Sequence, residues 1–274
     1  MATAVFFHAH PDDEAIATAG VMIEGADLGH RIVLVCATDG SVGEASPDDI
    51  PAESSLADVR AAELGEAAEL IGVDRLEFLG YRDSGMADTD TNDHPDSFWQ
   101  ADVEAAADRL AVILREEATD LITVYDERGG YGHPDHIQVH RVGVRAAELA
   151  GVSHVFEATM NRDQMQSFAD DPAFDALGLD DDVIESERAE IRDTELGMPA
   201  TQITHGIDVT AVIARKRAAM VAHRSQITAE SFFLQLPDEA FAKAFGTEWF
   251  IRRGAERSGK PYETDFYAGL TSSP

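Results

Sequence analysis

Cysteine and lysine are scarce in this 274-residue sequence. The first scarcity excludes a disulfide-stabilised fold, and the second disfavours partners that need a basic surface. The single cysteine, Cys36, cannot form an internal disulfide, and its place in an apolar run predicts a buried, unreactive thiol. Only three residues are lysines, and the sequence has 21 basic residues and 52 acidic ones, which gives a net charge of −31. A field of that sign disfavours nucleic acid and anionic membrane surfaces as partners.

Long hydrophobic runs are also missing. We find no stretch of about 18 apolar residues that could span a membrane. The N-terminus lacks the basic start and small-residue cleavage site of a secretory signal, so we expect a cytoplasmic protein. The acidic residues are spread along the chain, which predicts a heavily solvated surface, with adaptation to high salt left open, rather than an acidic interaction tail.

The first 160 residues alternate short apolar runs with longer helical patterns. None of the runs shows clean polar alternation, as expected for parallel strands that are covered on both faces. We therefore predict an α/β fold with a Rossmann-like, doubly wound and mainly parallel sheet. The predicted strands are residues 5–7, 32–35, 76–79, 121–125 and 155–158.

Capping residues set the predicted helices between these strands. Ser55 with Asp58 opens one helix that Gly72 ends, and Ser97 with Gln100 is interpreted as a second capping box. The predicted helices are residues 14–26, 56–71, from behind Ser97 to about 117, and 137–150.

The chain is predicted to form one domain with an elaborated C-terminal part. Residues 1–160 would make a Rossmann-like catalytic core, and residues 161–274 a C-terminal elaboration of the same domain. The elaboration contains an acidic insertion at about 165–197, interpreted as irregular or partly helical. Further expectations are a strand within 202–209, a helix over 212–223, and an aromatic-bearing stretch at 231–250 that caps the core or builds a pocket wall.

Two similar polar stretches follow the first and fourth predicted strands. HAHPDDE occupies residues 8–14, and GYGHPDHI occupies residues 130–137. With strand order 3-2-1-4-5, these two strands are neighbours where the order reverses, and such sheets bind ligands in the crevice at that point. We therefore expect the two stretches to converge.

The spacing within each stretch suits a metal site. His10 and Asp13 are three residues apart, as are His133 and His136, and such pairs face the same side of a helical turn. Two imidazoles and one carboxylate with an open fourth position make a catalytic zinc site, so we predict His10, Asp13 and His136 as ligands. A base, an acid and an orienting carboxylate would come from Asp12, His133 and Asp135.

AHPDDE followed by GHPDH resembles the LmbE-like, phosphatidylinositol-glycan class L type, zinc-dependent N-deacetylases. That family includes N-acetylglucosaminyl-phosphatidylinositol, mycothiol-pathway, bacillithiol-pathway and chitobiose deacetylases. Similarity extends to VRAAELGEAAELIGV, LGYRDSGM, NDHPDSFWQAD and the late HRSQ at residues 223–226. It is dense over the first 160 residues and sparse beyond them. The conjugate-amidase branch carries a lysine early in the first helix, and this sequence has none there.

The resemblance implies a zinc ion bound by the three predicted ligands, and Fe(II) can bind to similar sets of ligands. It implies Asp12 as general base, with His133 stabilising the oxyanion or protonating the departing amine. Asp135 would hold the His133 ring, and we expect that contact to make the ring positively charged. Further roles implied by the resemblance are an oxyanion contact from Tyr131 and sugar contacts from Arg60 and Asp83.

The predicted function is metal-dependent removal of an N-acetyl group from a small-molecule N-acetylglucosamine-type derivative, with release of acetate. Two alternatives stay open, namely an amidase that cleaves a larger thiol-sugar conjugate and a non-catalytic module that binds metal or sugar. A nucleotide-binding Rossmann domain is disfavoured because HAHPDDE contains no glycine. The oligomeric state, a homo-oligomer included, is left open.

Overall fold

The chain folds around one β-sheet that contains both parallel and antiparallel strands. The computed structural model describes residues 1–46, 50–169, 181–193, 195–257 and 261–270. The strands within these ranges are β1 Thr3–His8, β2 Arg31–Thr38, β3 Arg75–Tyr81, β4 Leu121–Tyr125, β5 His154–Thr159, β6 His205–Asp208 and β7 Thr247–Arg252. They form one seven-stranded sheet in the order β3-β2-β1-β4-β5-β7-β6.

The parallel part of the sheet confirms the predicted strand order. β1 lies between β2 and β4, with Phe6 opposite Leu34 on one side and Thr123 on the other. From Ala4 onward every residue of β1 is buried, because helices cover both faces of the sheet. Cys36 is buried on β2 as predicted, and burial raises the pKa of its thiol well above the usual range.

Helices pack on both sides of this sheet. The helix Val103–Glu116 packs against the helix Pro134–Ala150, while the helix Ile213–Ala222 packs against Ala19–Asp27 and Leu56–Ile71. Among the described residues, no helix is both long enough and apolar enough to cross a membrane. The helices are α1 Asp13–Ala17, α2 Ala19–Asp27, α3 Leu56–Ile71, α4 Val103–Glu116, α5 Gly129–Gly132, α6 Pro134–Ala150, α7 Arg162–Ala169, α8 Asp181–Asp193, α9 Ile213–Ala222, α10 Phe232–Gln235 and α11 Asp238–Phe245.

Local capping chemistry sets the bounds of α3 as predicted. The Ser55 hydroxyl accepts a hydrogen bond from the Asp58 N–H, and the Asp58 carboxylate accepts one from the Ser55 N–H. Gly72 ends the helix with φ 94°, a conformation in which a side chain would be strained. The capping box and the C-terminal glycine involve only residues that are close in sequence. The sequence therefore predicts both ends of α3 correctly.

Two other helix predictions are wrong in detail. The expected helix over 14–26 is interrupted at Thr18, which separates α1 from α2. The capping box at Ser97 is absent, since Gln100 donates to the Asn92 carbonyl instead. Residues Phe98–Gln100 form a short 3₁₀ turn, and Asp102 caps α4 by accepting from the Ala105 N–H at 2.9 Å.

The C-terminal part contributes more to the sheet than its sequence indicates. The predicted strand within 202–209 is β6, and the predicted helix over 212–223 is α9. The stretch 231–250 holds two short helices and most of β7, an antiparallel strand between β5 and β6. In the predicted acidic insertion the described residues are mainly helical, in α7 and α8, while residues 170–180 and 194 lie outside the described residues.

A buried ion pair joins the C-terminal part to the start of the chain. The Lys216 ammonium lies 2.7 Å from the Glu248 carboxylate, and both side chains are almost fully buried. The same carboxylate accepts hydrogen bonds from the N–H groups of Gly20 and Val21 in the first turn of α2, at 2.7 and 2.9 Å. N–H groups in a first turn lack partners within the helix, so Glu248 satisfies them.

Replacing Lys216 with methionine should destabilise the fold. The Glu248 carboxylate would stay buried without its cation, a loss that costs about 3–5 kcal/mol of unfolding free energy. Urea denaturation followed by circular dichroism measures it. The matched control is Arg145→Met, which removes exposed pairs with Glu104 and Glu148 and should unfold near the wild-type midpoint. Equal midpoints for the two variants would show that Glu248 does not need Lys216.

Candidate active site

The stretches HAHPDDE and GYGHPDHI, here called the two HPD stretches, meet at the carboxyl ends of β1 and β4, as their topology requires. Asp13 links the predicted ligands from both sides of the crevice. Its Oδ2 lies 3.3 Å from His10 Nδ1, and its Oδ1 lies 3.3 Å from His136 Nε2. All three side chains are at least 87% buried. Burial alone would raise the pKa of Asp13, but the two imidazoles outweigh burial and lower the pKa well below its usual range.

Helix geometry turns the second stretch toward the first. His133 is the N-cap of α6, and Pro134 occupies the first helical position, where no N–H is needed. One turn into the helix, His136 stacks on the Tyr125 ring, with centroids 4.3 Å apart and an interplanar angle of 13°. The Tyr125 ring at the end of β4 therefore fixes the orientation of this imidazole.

Asp135 does not hold the His133 ring, which corrects the sequence prediction. Its carboxylate accepts hydrogen bonds from the hydroxyl and the N–H of Ser84, the latter at 2.9 Å, and lies 3.2 Å from His10 Nε2. Asp135 touches His133 through the backbone, where its N–H donates to His133 Nδ1 at 3.1 Å. The carboxylate thus orients a predicted metal ligand instead of the predicted acid.

The surroundings of His133 favour a neutral ring over the expected positive charge. Burial and the neighbouring His10 and His136 rings lower the pKa of His133 to about 3. Because Nδ1 accepts the Asp135 N–H, the ring proton belongs on Nε2. The ring lies close to the predicted ligands, with its centroid 4.5 Å from that of His10.

Asp12 lies beside the predicted ligands in an unusual backbone conformation, with φ 134°. Burial raises the pKa of its carboxyl to about 6, although the Arg60 guanidinium opposes this shift. The carboxyl is therefore ionised at neutral pH and can accept a proton. Asp12 and Asp13 are adjacent in sequence but have different partners. Asp12 pairs with Arg60 at 3.1 Å, whereas Asp13 contacts the two imidazoles.

Arg60 and Asp83, the two residues predicted to contact the sugar, have hydrogen-bond partners within the protein. Arg60 has 4% of its side chain exposed and donates to the carbonyls of Gly40 and Pro11, both at 2.8 Å. Asp83 accepts from the Gly85 N–H at 2.8 Å, and its Oδ1 lies 3.5 Å from His10 Nε2. The guanidinium of Arg60 lies against Asp12, and Asp83 lies beside the predicted metal ligands. The sugar contacts of both residues stay predictions.

Tyr131 lies at the mouth of the crevice. Its side chain is on the short helix α5, between Gly130 and Gly132, which have φ 73° and 93°. The hydroxyl is 3.5 Å from His136 Nε2, and 41% of the residue is exposed. Burial of the hydroxyl end raises the pKa of Tyr131 above its usual range, so the phenol keeps its proton. It can donate a hydrogen bond to a bound molecule.

Several residues that shape the site were not predicted. Ser84 orients Asp135, Tyr125 stacks on His136, and Glu14 accepts a hydrogen bond from His223 at 2.6 Å. Burial disfavours a charged His223 ring, yet the Glu14 carboxylate outweighs it and raises the pKa of His223. The segments LGYRDSGM and HRSQ hold Ser84 and His223, and AHPDDE ends on Glu14, so the sequence signal for these residues was the resemblance alone.

The donor atoms fit a divalent cation. Ring nitrogens of His10, His133 and His136 all lie within 4.8 Å of one another, as do donor atoms of His10, Asp83 and Asp135. Nitrogen and carboxylate oxygen donors in this number suit Zn(II) or Fe(II). Asp13 contacts His10 through Oδ2 and His136 through Oδ1, so the set His10, Asp13 and His136 stays a prediction beside the convergent His10, His133 and His136.

Comparison with known proteins places the chain among deacetylases. The family model described as GlcNAc-PI de-N-acetylase, PIG-L, matches residues 5–147. The chain belongs to the PIG-L family. It is 38% identical to the 1D-myo-inositol 2-acetamido-2-deoxy-alpha-D-glucopyranoside deacetylase of Acidothermus cellulolyticus, over 96% of this chain and 93% of the relative. The enzyme of the same name from Thermomonospora curvata is 39% identical, over 97% of this chain and 96% of the relative.

Solved structures show the same PIG-L fold. The N,N'-diacetylchitobiose deacetylase of Pyrococcus horikoshii aligns with a TM-score of 0.53 at 22% identity, covering 91% of this chain and 83% of that chain. A deacetylase of the teicoplanin biosynthesis pathway aligns with a TM-score of 0.60 at 17% identity, covering 93% and 100%. At these identities the likeness concerns the fold, and it confirms the predicted Rossmann-like α/β class.

Beneath the site, His8 is a buried neutral imidazole. Its Nδ1 lies 2.8 Å from the Tyr125 hydroxyl and its Nε2 lies 2.8 Å from the Thr18 hydroxyl. A neutral ring offers one donor and one acceptor, and two hydroxyls can satisfy both. Burial lowers the pKa of His8 to about 4, from 6.5 for an unperturbed histidine.

His8 should therefore make the fold sensitive to acid. Because its pKa is depressed in the folded state, its contribution to stability is complete above pH 6.5 and is lost as pH falls toward 4. The lost stability amounts to about 3 kcal/mol at most. His8→Gln can bond both hydroxyls without titrating. Urea unfolding with EDTA present should show a shallower loss of stability over this window for the variant, and parallel losses would contradict the assignment.

Proposed function

We propose that this protein hydrolyses the acetamide of an N-acetylglucosamine-type amino sugar, with a divalent ion held by His10, Asp13 and His136. The observation that carries the proposal is the buried cluster in which Asp13 contacts both imidazoles while the ionisable Asp12 lies beside it. The family and the names of the similar deacetylases support the reaction class. Zinc is the proposed metal, and Fe(II) is the alternative at the same ligands.

The side chains divide the reaction among them. A bound metal ion would polarise the acetamide carbonyl and make water more acidic. Asp12 takes the proton from the attacking water, since its carboxyl is ionised at neutral pH. His133 donates its Nε2 proton in a hydrogen bond to the carbonyl oxygen as negative charge develops there, and the Tyr131 hydroxyl can add a second donor. Protonated Asp12 then returns the proton to the departing nitrogen, so acetate and a free amine result.

The names of the curated relatives indicate the substrate class. Each of the two relatives described above is named for deacetylation of 1D-myo-inositol 2-acetamido-2-deoxy-alpha-D-glucopyranoside, and the chain spans more than 90% of each. We propose the same glycoside, or a close derivative, as the substrate. It is uncharged, so the net charge of −31 does not repel it, whereas an anionic phospholipid headgroup would be repelled.

Acetate release tests the function directly. The purified protein should release acetate from the inositol glycoside with an equal amount of primary amine, and release less from free N-acetylglucosamine. A thiol-sugar conjugate with a bulkier acyl group serves as the competing substrate. Cleavage of the conjugate in preference to the acetamide would show an amidase instead, and metal binding without either product would overturn the proposed reaction.

Removing the metal should abolish turnover. Dialysis against a chelator is expected to release one divalent ion per chain and to stop acetate release, because the carbonyl would lose its polarising ion. Adding Zn(II) or Fe(II) back, one at a time without oxygen, should restore activity and identify the preferred metal. Full activity in metal-depleted protein, verified by elemental analysis, would contradict this role.

Replacing the proposed base should affect chemistry more than metal binding. Asp12→Asn keeps the side-chain size but cannot take up the proton, so acetate release should fall about 10²–10⁴-fold. Metal content should stay at the wild-type value because Asp12 is not a proposed ligand. The control Glu69→Gln makes the same chemical change at an exposed position of α3 and should keep full activity. An Asp12→Asn variant with wild-type turnover would exclude Asp12 as the base.

A further inference from the structure

The backbone at Asp12 is held in a conformation that few side chains adopt. Its φ of 134° is the largest positive value among the non-glycine residues that the structure describes. Such a conformation is unfavourable for a residue with a Cβ and persists only when surrounding contacts hold it. The contacts around Asp12 therefore determine where its carboxylate lies.

Arg60 holds this turn from one side. One guanidinium nitrogen donates to the Pro11 carbonyl at 2.8 Å and lies 3.1 Å from Asp12 Oδ2, while a second donates to the Gly40 carbonyl. The loop after β2 closes over the guanidinium. A Cβ added at Gly43 would lie 2.5 Å from a guanidinium nitrogen, so the loop packs closely against the arginine.

Glu14 and His223 hold the turn from the other side. Glu14 Oε2 accepts a hydrogen bond from the Asp12 N–H at 3.1 Å, and Glu14 Oε1 accepts one from His223 Nε2 at 2.6 Å. Neither Glu14 nor His223 has any exposed side-chain surface. The backbone of the proposed base is thus bonded to a carboxylate that a residue more than 200 positions away keeps in place.

Helix α3 closes these contacts into a ring. Glu63 lies three residues after Arg60 on the buried face of α3. Its carboxylate accepts hydrogen bonds from the N–H and the hydroxyl of Ser225, at 2.9 and 2.7 Å. Ser225 follows His223 by two residues, so one short turn after α9 is bonded to both α3 and Glu14.

We propose that Arg60, Glu14, Glu63, His223 and Ser225 form one clamp, here called the Asp12 clamp, that fixes the carboxylate of Asp12 beside the predicted metal ligands. Arg60 and His223 are then positioning residues, which act on the reaction through Asp12. This inference rests on the proposed role of Asp12 as the base. It gives the HRSQ turn of the C-terminal part a direct function in the site.

Amide exchange tests the clamp without substrate or metal. In metal-free protein, peptides spanning residues 9–16 should exchange deuterium faster in Arg60→Met and in His223→Phe than in the wild type, because the Asp12 turn is released. Arg60→Lys and His223→Gln keep part of the hydrogen bonding and should fall between. The control Arg224→Gln changes the same turn but removes only an exposed pair with Glu66, so exchange should match the wild type.

Kinetics separates positioning from sugar binding. Displacing the base should lower kcat for acetate release by about 100-fold in Arg60→Met and leave KM within about twofold, because misplacement affects the reacting geometry. His223→Phe should show the same pattern, and the Lys and Gln variants should recover part of kcat. A raised KM with unchanged kcat in Arg60→Met would instead show a sugar contact and overturn the positioning role.

The two proposals fail in different ways. A wild-type protein that releases no acetate would refute the proposed function, and the exchange experiment would still decide whether the clamp holds the turn. An active wild type whose residue 9–16 peptides exchange equally fast in all variants would refute the clamp alone. Circular dichroism verifies folding, and the conservative Lys and Gln variants carry the test if Met or Phe unfolds the chain.

Discussion

Burying several carboxylates at one edge of the sheet is the constraint on which the rest of the structure depends. A buried carboxylate is costly unless a cation or hydrogen-bond donors compensate it. Imidazoles compensate Asp13 and Glu14, and a guanidinium compensates Asp12. Hydroxyl and backbone donors compensate Asp83 and Asp135. A divalent ion would complete this balance at the point where the ligands meet. The carboxylates lie at the carboxyl ends of β1, β3 and β4, or in the turns that follow: Asp12, Asp13, Glu14, Asp83 and Asp135.

This constraint explains why distant parts of the chain are needed for one site. The HPD stretches supply the imidazoles and carboxylates, but neither supplies an arginine. Arg60 comes from α3, and His223 comes from the turn after α9, beyond the segment that matches the family model. The same pattern recurs away from the site, where Lys216 compensates Glu248 under α2. Two buried carboxylates therefore link the C-terminal part to the parallel core, Glu14 through His223 and Glu248 through the N–H groups of Gly20 and Val21.

The sequence predicted what depends on short-range signals and topology. Apolar runs located the five parallel strands, the caps at Ser55 and Gly72 located α3, and strand order brought His10 to His136. It did not predict which partner a buried polar group chooses. Asp135 bonds Ser84 rather than the adjacent His133 ring, and Arg60 bonds Asp12, because these choices follow from helix orientation and loop closure. β7 was missed since an antiparallel strand there is specified by pairing with β5 and β6, not by its own pattern.

The surface charge and the site chemistry are consistent with each other. Hydrolysis of an acetamide converts an uncharged substrate into an acetate anion and an amine that becomes a cation. A strongly negative protein attracts neither the substrate nor the acetate, and its field lowers the local concentration of the anion. Acetate departure is therefore favoured, while the amino sugar is retained more readily. A divalent ion at the proposed ligands would attract acetate, and a carboxylate ligand such as Asp13 would offset part of that ion's positive charge.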